Sequence, residues 1–219
     1  MFELDKNLAN DTFFVSDLKN CRLLLMNNAN FLWLILVPRI VGAVELIDIS
    51  IETQTEILQE INLVAKIMQK KFLPHKLNIA TLGNVVRQLH IHIVARFVDD
   101  VAFPKPVWGS EIKKYNENES SDLILQIKEE LLKFEQESDN KIKQLLYRSI
   151  HRGCKETDFL IGEFAKKKIH FFGPQELKLF ADFIIEDDML IYDWVLMKRE
   201  IPQNYKKMVK DIREFHKIV

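Results

Sequence analysis

The chain of 219 residues has little cysteine, glycine or proline and no long apolar run. Its two cysteines, Cys21 and Cys154, fall in different halves, which excludes a disulfide framework and favours a reducing compartment. The longest apolar stretch, residues 31–37, is too short to cross a bilayer, so no membrane insertion is expected. With 47% hydrophobic and 29% charged residues, the composition is that of a globular protein.

The chain also has no marked excess of positive or negative charge, since it contains 31 Lys and Arg and 32 Asp and Glu. Neither half of the chain has the basic excess that binding to a phosphate backbone demands, so we expect no nucleic-acid partner. The first residues, MFELDKNLAN, begin acidic and have neither a basic segment before an apolar core nor an Arg-rich stretch. We therefore expect a cytoplasmic protein.

The first part of the chain, residues 1–135, predicts an α+β domain. Ser50 stands at an N-cap position before a helical pattern that runs to about Lys71, and short apolar runs surround that helix. These runs predict an antiparallel sheet with strands at residues 12–15, 22–26, 31–37, 76–81 and 88–97. The polar stretch at residues 113–121 predicts a loop before a further helix.

The rest of the chain changes to helical periodicity throughout. The charged residues 136–140 predict a short linker, and residues 141–219 predict a small all-α bundle of five helices. Pro174 fits the first turn of the third helix of that bundle.

The strand at residues 88–97 carries the sharpest local feature, the run QLHIHIVAR. Because alternate side chains of a strand share a face, Gln88, His90 and His92 should project together while Leu89 and Ile91 pack behind them. Two neighbouring imidazoles on a rigid strand suit nucleophilic catalysis at phosphorus, with one attacking while the other orients it.

Two other interpretations of the histidine pair stay open. Both could be core histidines with satisfied hydrogen bonds, or they could be half of a metal site. A metal needs further ligands, for which His75, Asp99 and Asp100 are the nearest in sequence. Because these form no cluster with the pair, no metal is expected.

Residues 1 to about 135 resemble the histidine triad (HIT) superfamily of nucleotide hydrolases and transferases. The resemblance rests on CRLLLMNNANFLWLILVPR, on LNIATLGNVVRQLHIHIVAR and on the loop FPKPVWG. It implies His90 as the nucleophile that forms a nucleotidyl-histidine, with His92 and Gln88 beside it. It also implies Asn84 as a phosphate contact and Asn27 or Asn28 near the ribose and base.

The chain departs from the HIT pattern at two positions. Gln88 stands where the family has its first histidine and cannot carry a proton charge, and Trp33 lies near an upstream position where many members have another histidine. The domain could therefore be an active enzyme or a binding domain that only senses a nucleotide. Trp108, in the loop after the sheet, is expected to close the edge of the core.

In the second half, the run HRGCKETD stands out. Gly153 costs roughly 1 kcal/mol relative to alanine inside a helix, so close approach of a partner or a bend between helices is expected there. Arg152 and Glu156, at i and i+4, are predicted to form only a surface pair. With the bare backbone between them they would make a docking patch for a protein.

Residues 140–219 resemble the succinate dehydrogenase flavinylation (FAD assembly) factor family, through YRSIHRGCKETDFLIGEF and LKLFADFIIEDDMLIYDWVLMKREIP. The resemblance implies a non-enzymatic domain that binds the flavoprotein subunit of succinate dehydrogenase and promotes covalent attachment of FAD. It implies partner contacts by Arg152, Gly153 and Glu156, helped by Asp158, Asp187 and Asp188. A generic helical adaptor is the alternative.

Together the two resemblances predict a HIT-like domain fused to a flavinylation-factor domain. No cofactor is required, although an adenylate or the FAD of the client is a candidate ligand. The first domain is expected to form a homodimer, as HIT proteins often do. The alternative for the whole chain is a non-catalytic, nucleotide-sensing adaptor.

Overall fold

The computed structural model describes residues 2–218 and divides the chain into two units between Lys133 and Phe134. The first unit holds a five-stranded antiparallel sheet, and the second is helical. Within residues 2–218, no helix has the length and apolar character needed to cross a membrane.

The first unit has the predicted strands and the predicted long helix. Its elements are α1 (Lys6–Asp11), β1 (Thr12–Asp17), β2 (Cys21–Met26), β3 (Leu32–Pro38), α2 (Ile51–Phe72), β4 (Lys76–Ala80) and β5 (Ile91–Arg96). The strands lie in the order β1-β2-β3-β5-β4, and every neighbouring pair is antiparallel. Ser50 caps α2 as predicted, because its hydroxyl accepts from the backbone N–H of Thr53 at 3.2 Å.

The sheet buries both faces, and this explains the nearly continuous apolar runs of β3 and β5. The face opposite to His92 carries the buried side chains Leu34, Leu36, Ile91 and Ile93. Helix α2 packs against β5. The other face carries the side chains that form a second apolar cluster around the histidines. These are Leu8, Leu24, Phe31, Trp33, Ile35, Val37, Val94 and Val107.

Helix α3 (Glu117–Ile150) runs without a break through the predicted linker, so the linker at residues 136–140 is wrong. No glycine or proline occurs between Gly109 and Gly153, and Gln136 and Glu137 in the charged stretch are good helix formers. The predicted loop at residues 113–121 is wrong in its second half. Asn116 and Glu119 exchange side-chain to backbone hydrogen bonds that start the helix.

The second unit contains the end of α3 followed by α4 (Lys155–Lys168), α5 (Pro174–Phe183), α6 (Asp188–Val195) and α7 (Lys206–His216). This confirms the prediction of five helical segments, and Pro174 begins α5 as expected. Aromatic and aliphatic side chains from all five segments form one core, with Phe164, Phe180 and Phe183 almost fully buried.

Candidate functional site

His90 and His92 lie side by side on one face of the sheet, as the strand period predicts. Their ring centroids are 4.7 Å apart and the rings meet edge to face. Each residue is only 5% exposed. The regular strand begins one residue after His90, so β5 is shorter than the predicted 88–97 at its start. The irregular backbone before Ile91 turns the chain toward a cleft.

The ring of His90 is held by a backbone carbonyl two residues earlier in the chain. Its Nδ1 lies 2.7 Å from the carbonyl oxygen of Gln88. A carbonyl oxygen only accepts hydrogen bonds, so Nδ1 carries the proton and Nε2 of the neutral ring keeps its lone pair. That is the form an imidazole needs in order to attack an electrophile.

A cleft of about 340 Å³ opens beside His90. It is lined on one side by Val44 and Glu45 and on the other by the segment that connects β4 to β5, including Gly83, Asn84 and Arg87. The added Cβ of an alanine at position 83 would lie 2.8 Å from the carbonyl oxygen of Val86 and 3.3 Å from Cε1 of His90. Glycine at this position therefore permits the close approach of the connecting segment to the His90 ring.

The ring of His92 has partners on both nitrogens. The indole Nε1 of Trp33 donates to its Nδ1 at 3.0 Å, and its Nε2 lies 3.3 Å from the carbonyl oxygen of Leu82. Burial, followed by the repulsion of a charge on His90, lowers the pKa of His92 to about 4. His92 is therefore neutral at physiological pH.

The amide of Gln88 points to the start of the chain. Its Oε1 accepts from the backbone N–H of Asp5 at 2.9 Å, and its Nε2 donates to the carbonyl oxygen of Glu3 at 2.9 Å. The position where the HIT pattern has its first histidine thus holds the N-terminal segment in place. Helix α1 and this contact were missed by the sequence analysis, although Asp5 is a recognisable N-cap residue.

The three asparagines predicted to bind nucleotide are in two places. Asn84 lines the cleft with His90. The amide oxygen of Asn27 accepts from the backbone N–H of Tyr115 at 3.0 Å, and that of the buried Asn28 accepts from the backbone N–H of Lys113 at 3.4 Å. Asn27 and Asn28 hold the segment before α3, and neither lines the cleft.

Two of the three residues considered as further metal ligands have other contacts, and the third, Asp99, is exposed. Asp100 pairs with Arg96 at 2.7 Å, both side chains being at least 96% buried, and His75 packs edge-on against Phe103. Across residues 2–218, no three His, Cys, Asp or Glu side chains come together as metal ligands would.

Two tryptophans surround His92, one from β3 and one from the loop after the sheet. The rings of Trp33 and Trp108 each lie 5.4 Å from the His92 ring, and they lie 5.5 Å from one another. Trp108 closes the edge of the core as expected. The hydrogen bond from Trp33 to His92 depends on the register between β3 and β5, for which the sequence carries no direct signal.

A second hydrogen-bonded cluster joins four of the predicted partner-binding residues in the helical unit. The guanidinium of Arg152 bonds to the carboxylate of Asp188 and to the carbonyl oxygens of Ile184 and Glu186. The backbone N–H of Arg152 donates to Asp158, and that of Gly153 donates to Asp188 at 2.9 Å. We call Arg152, Gly153, Asp158 and Asp188 the Arg152 cluster.

The predicted surface pair of Arg152 with Glu156 is wrong. Helix α4 begins only at Lys155, so the two residues do not lie one turn apart on a helix. The Arg152 side chain is 7% exposed and bonds to the corner between α5 and α6, whereas Glu156 is exposed and accepts from the thiol of Cys154. Gly153 lies in the bend between α3 and α4.

Three predicted partner-binding residues are open to solvent next to the Arg152 cluster. Gly153, Glu156 and Asp187 are exposed, and we call them the exposed face. Asp187 also caps α6, because its carboxylate accepts from the backbone N–H groups of Met189 and Leu190.

Two family models match the chain, one over each unit. Residues 7–99 match the HIT domain, and residues 143–216 match the family described as flavinator of succinate dehydrogenase.

Solved structures resemble the first unit. A histidine triad protein from Bradyrhizobium japonicum is 38% identical, with a TM-score of 0.58, over 59% of this chain and 97% of its own. Another from Marinobacter aquaeolei VT8 is 36% identical, with a TM-score of 0.59, over 61% of this chain and 98% of its own.

Curated relatives carry the name succinate dehydrogenase assembly factor 2, mitochondrial. The protein from Dictyostelium discoideum is 34% identical over 34% of this chain and 52% of its own length. The one from Candida glabrata is 32% identical over 46% of this chain and 70% of its own length. The chain thus spans about half the length of the first of these relatives. Through its first unit the chain belongs to the histidine triad family, and through its helical unit it belongs to the succinate dehydrogenase assembly factor 2 family.

Proposed function

We propose that this chain is an assembly factor that promotes covalent flavinylation of the flavoprotein subunit of succinate dehydrogenase. We further propose that its first unit is a nucleotide hydrolase or transferase that acts through a nucleotidyl-histidine on His90. The observation that carries the assembly role is the exposed face beside the buried guanidinium of Arg152, in a unit that belongs to the assembly-factor family.

The contacts of the Arg152 cluster suggest different roles for the residues of the run HRGCKETD. Arg152 holds the α5–α6 corner against the bend that precedes α4. Gly153, Glu156 and Asp187 are exposed beside this arrangement, where a client could reach them. A surface held in place before binding loses less conformational entropy when a partner docks, and it can position a mobile client for its own reaction.

In the first unit, the lone pair of His90 Nε2 would attack the α-phosphorus of a nucleotide in the cleft. The bond from that phosphorus to the leaving oxygen breaks, and the leaving phosphate keeps the electron pair. The Nδ1 proton stays on the ring and faces the Gln88 carbonyl, which favours the cationic nucleotidyl-imidazole.

In the second step a water attacks the same phosphorus as the bond from phosphorus to Nε2 breaks, and Nε2 regains its electron pair. One proton of the water stays on the new P–OH group of the product nucleotide and the other is released to solvent. Asn84 and Arg87 line the cleft and would contact the phosphates. An adenylate, or the adenosine pyrophosphate of FAD, is the proposed ligand.

The nucleophile is tested by incubating the purified full chain with a labelled diadenosine polyphosphate. Acid-labile label should appear on the wild type and be absent from His90→Ala. His75→Ala is the matched control, because His75 lies against Phe103 and does not line the cleft. Product release by His90→Ala at the wild-type rate would refute the assignment.

The docking role is tested by capture of the succinate dehydrogenase flavoprotein subunit from the same organism. Glu156→Ala should weaken capture at least about tenfold, a typical loss for an interface charge that a partner buries. Lys178→Ala, on another helix of the unit, should have no effect. Equal capture by all three proteins would remove Glu156 from the interface.

One observation favours the alternative, a non-catalytic nucleotide-sensing adaptor. Each end of the Gln88 amide already makes one hydrogen bond, to the backbone of Asp5 and of Glu3, which leaves it fewer to offer a substrate. The labelling experiment separates the two functions, since an adaptor would bind the nucleotide without forming a bond to His90.

We propose the cytoplasm as the compartment, although the curated relatives are named mitochondrial. Burial and the neighbouring Glu60 carboxylate raise the pKa of the Cys21 thiol, so this cysteine stays protonated and unreactive in a reducing environment. Fractionation of cells that express the full-length protein is the test, and recovery with mitochondria would overturn the cytoplasmic assignment.

We also propose that the HIT unit forms a homodimer, which light scattering of the purified chain would test. A mass of one chain at micromolar concentration would contradict it.

A further inference from the structure

The hydrogen bond between Trp33 and His92 defines which nitrogen of His92 carries the proton. An indole N–H can only donate, so Nδ1 of His92 must accept and is unprotonated. The neutral ring then has its proton on Nε2, which faces the carbonyl oxygen of Leu82 at 3.3 Å. His92 and His90 therefore carry their protons on opposite nitrogens, because the Nδ1 of His90 faces a carbonyl oxygen instead.

The sheet register places the indole where it can make this bond. Trp33 in β3 pairs with Val94 in β5, which is two residues beyond His92 on the same face. Trp33 is therefore the diagonal neighbour of His92. Only 5% of its surface is exposed, and it packs against Phe31 and Trp108. A buried indole N–H needs an acceptor, and His92 supplies it.

We propose that Trp33 is a positioning residue that holds His92 as a neutral ring with its proton on Nε2, so that no positive charge lies beside His90 when His90 becomes cationic. This inference rests on the proposed role of His90 as nucleophile. Nothing about Trp33 requires it to touch the substrate.

The surroundings of His92 agree with a neutral ring. The one titratable group against it among the described residues is His90, and its other neighbours are two indole rings and the Leu82 carbonyl. Protonation of His92 would have to break the Trp33 bond, and once His90 is cationic it would put two cations 4.7 Å apart, measured between the ring centroids. Its lowered pKa has the same direction.

The test is a long-range proton–nitrogen NMR spectrum of the ¹⁵N-labelled full chain between pH 5 and 8. In the wild type, His92 should show a protonated Nε2 and an unprotonated Nδ1 throughout. In Trp33→Phe, which removes the N–H and keeps an aromatic ring, His92 should titrate about one pH unit or more higher, since one donor bond to the neutral form is lost.

Trp108→Phe is the matched control. Trp108 lies as close to the His92 ring as Trp33 does but makes no hydrogen bond to it among the contacts of the described residues. Its His92 should keep the wild-type tautomer and titration. A wild-type His92 protonated on Nδ1, or equal His92 titrations in the two tryptophan variants, would overturn the proposal.

The NMR result does not depend on turnover. The wild-type spectrum alone decides the tautomer, even if Trp33→Phe folds poorly. An intact Nε2–H form in a chain that never labels His90 would refute the proposed enzyme activity alone. A wrong tautomer in a chain that does label His90 would refute the role of Trp33 alone.

Discussion

At the scale of single residues, His90 and His92 are the same side chain two positions apart, and their surroundings give them different chemistry. A backbone carbonyl holds the proton of His90 on Nδ1, whereas an indole N–H excludes the proton from Nδ1 of His92. The strand period predicts that both rings share a face. It does not predict their hydrogen-bond partners, which come from Trp33, Leu82 and the irregular backbone before Ile91.

The lowered pKa of His92 predicts that stability falls as the pH is lowered. The unfolded ring binds a proton near pH 6.5 and the folded ring only near pH 4, so the unfolded state takes up more protons between these values. The wild type should lose about 3 kcal/mol of unfolding free energy from this group between pH 6.5 and pH 4. Urea unfolding at several pH values measures the loss.

His92→Asn is the control for that experiment, because it keeps an acceptor for Trp33 and does not titrate. Its stability should fall less steeply over the same range. Arg22 and Arg96 lower the pKa values of Asp17 and Asp100, so acidification removes the stabilisation from these carboxylates too. That loss is the same in both proteins and cancels from the comparison. Identical slopes in the two proteins would show that His92 is not held neutral by the fold.

Gly83→Ala should reduce the turnover of nucleotide by the first unit. The added Cβ would lie 2.8 Å from the Val86 carbonyl oxygen, so the connecting segment must shift, and 3.3 Å from Cε1 of His90, so the ring is pressed as well. A displacement of this kind should lower kcat/KM at least about tenfold. Steady-state kinetics of diadenosine polyphosphate cleavage gives the measurement.

Gly42→Ala is the control for Gly83→Ala, because it should lower stability without disturbing the cleft. Gly42 has open space around it but a φ of +79°, so alanine should cost roughly 1 kcal/mol of stability and leave turnover unchanged. If the two glycine variants lose turnover in equal proportion, the close approach at Gly83 has no special role.

At the scale of elements, the helix and strand positions follow from the sequence more closely than the connections do. Apolar periodicity predicts each strand of the sheet and each helical segment of the second unit. The predicted break at residues 136–140 is wrong because a charged stretch without glycine or proline can be solvated helix as readily as linker. The surface position expected for Arg152 is also wrong. Its carbonyl partners belong to a corner about thirty residues further along the chain, so no local sequence pattern indicates them.

Arg152→Lys should destabilise the helical unit, although charge is retained. The three acceptors are reached by three different nitrogens of the guanidinium, and a lysine has all its donors on one nitrogen, so buried acceptors lose their partner. We expect a loss of roughly 2 kcal/mol, seen as faster hydrogen exchange in α4 to α7. Glu156→Ala, at an exposed position, should stay within about 0.5 kcal/mol of the wild type.

This difference decides how docking experiments are interpreted. A loss of client binding in an Arg152 variant combines an altered fold with any lost contact, whereas a loss in Glu156→Ala reports on the interface. Unchanged exchange rates in Arg152→Lys would place the guanidinium on the surface and return it to the set of direct client contacts.

At the scale of the whole molecule, the chain joins two units that belong to two families and carry separate sites. The sequence was sufficient to recognise both, because each family pattern is local: one strand with its flanking loop, and one bend with the helices beside it. The placement of Asn27, Asn28 and Gln88 was not predictable, since their partners lie more than eighty residues away along the chain.

The most direct test of the account is covalent flavinylation itself. The succinate dehydrogenase flavoprotein subunit is incubated with FAD and the purified chain, and bound flavin is read by its fluorescence on a denaturing gel. We expect the wild type and His90→Ala to increase covalent flavin equally, and Glu156→Ala to lose most of the increase. No increase with the wild-type chain, or an undiminished increase with Glu156→Ala, would contradict it.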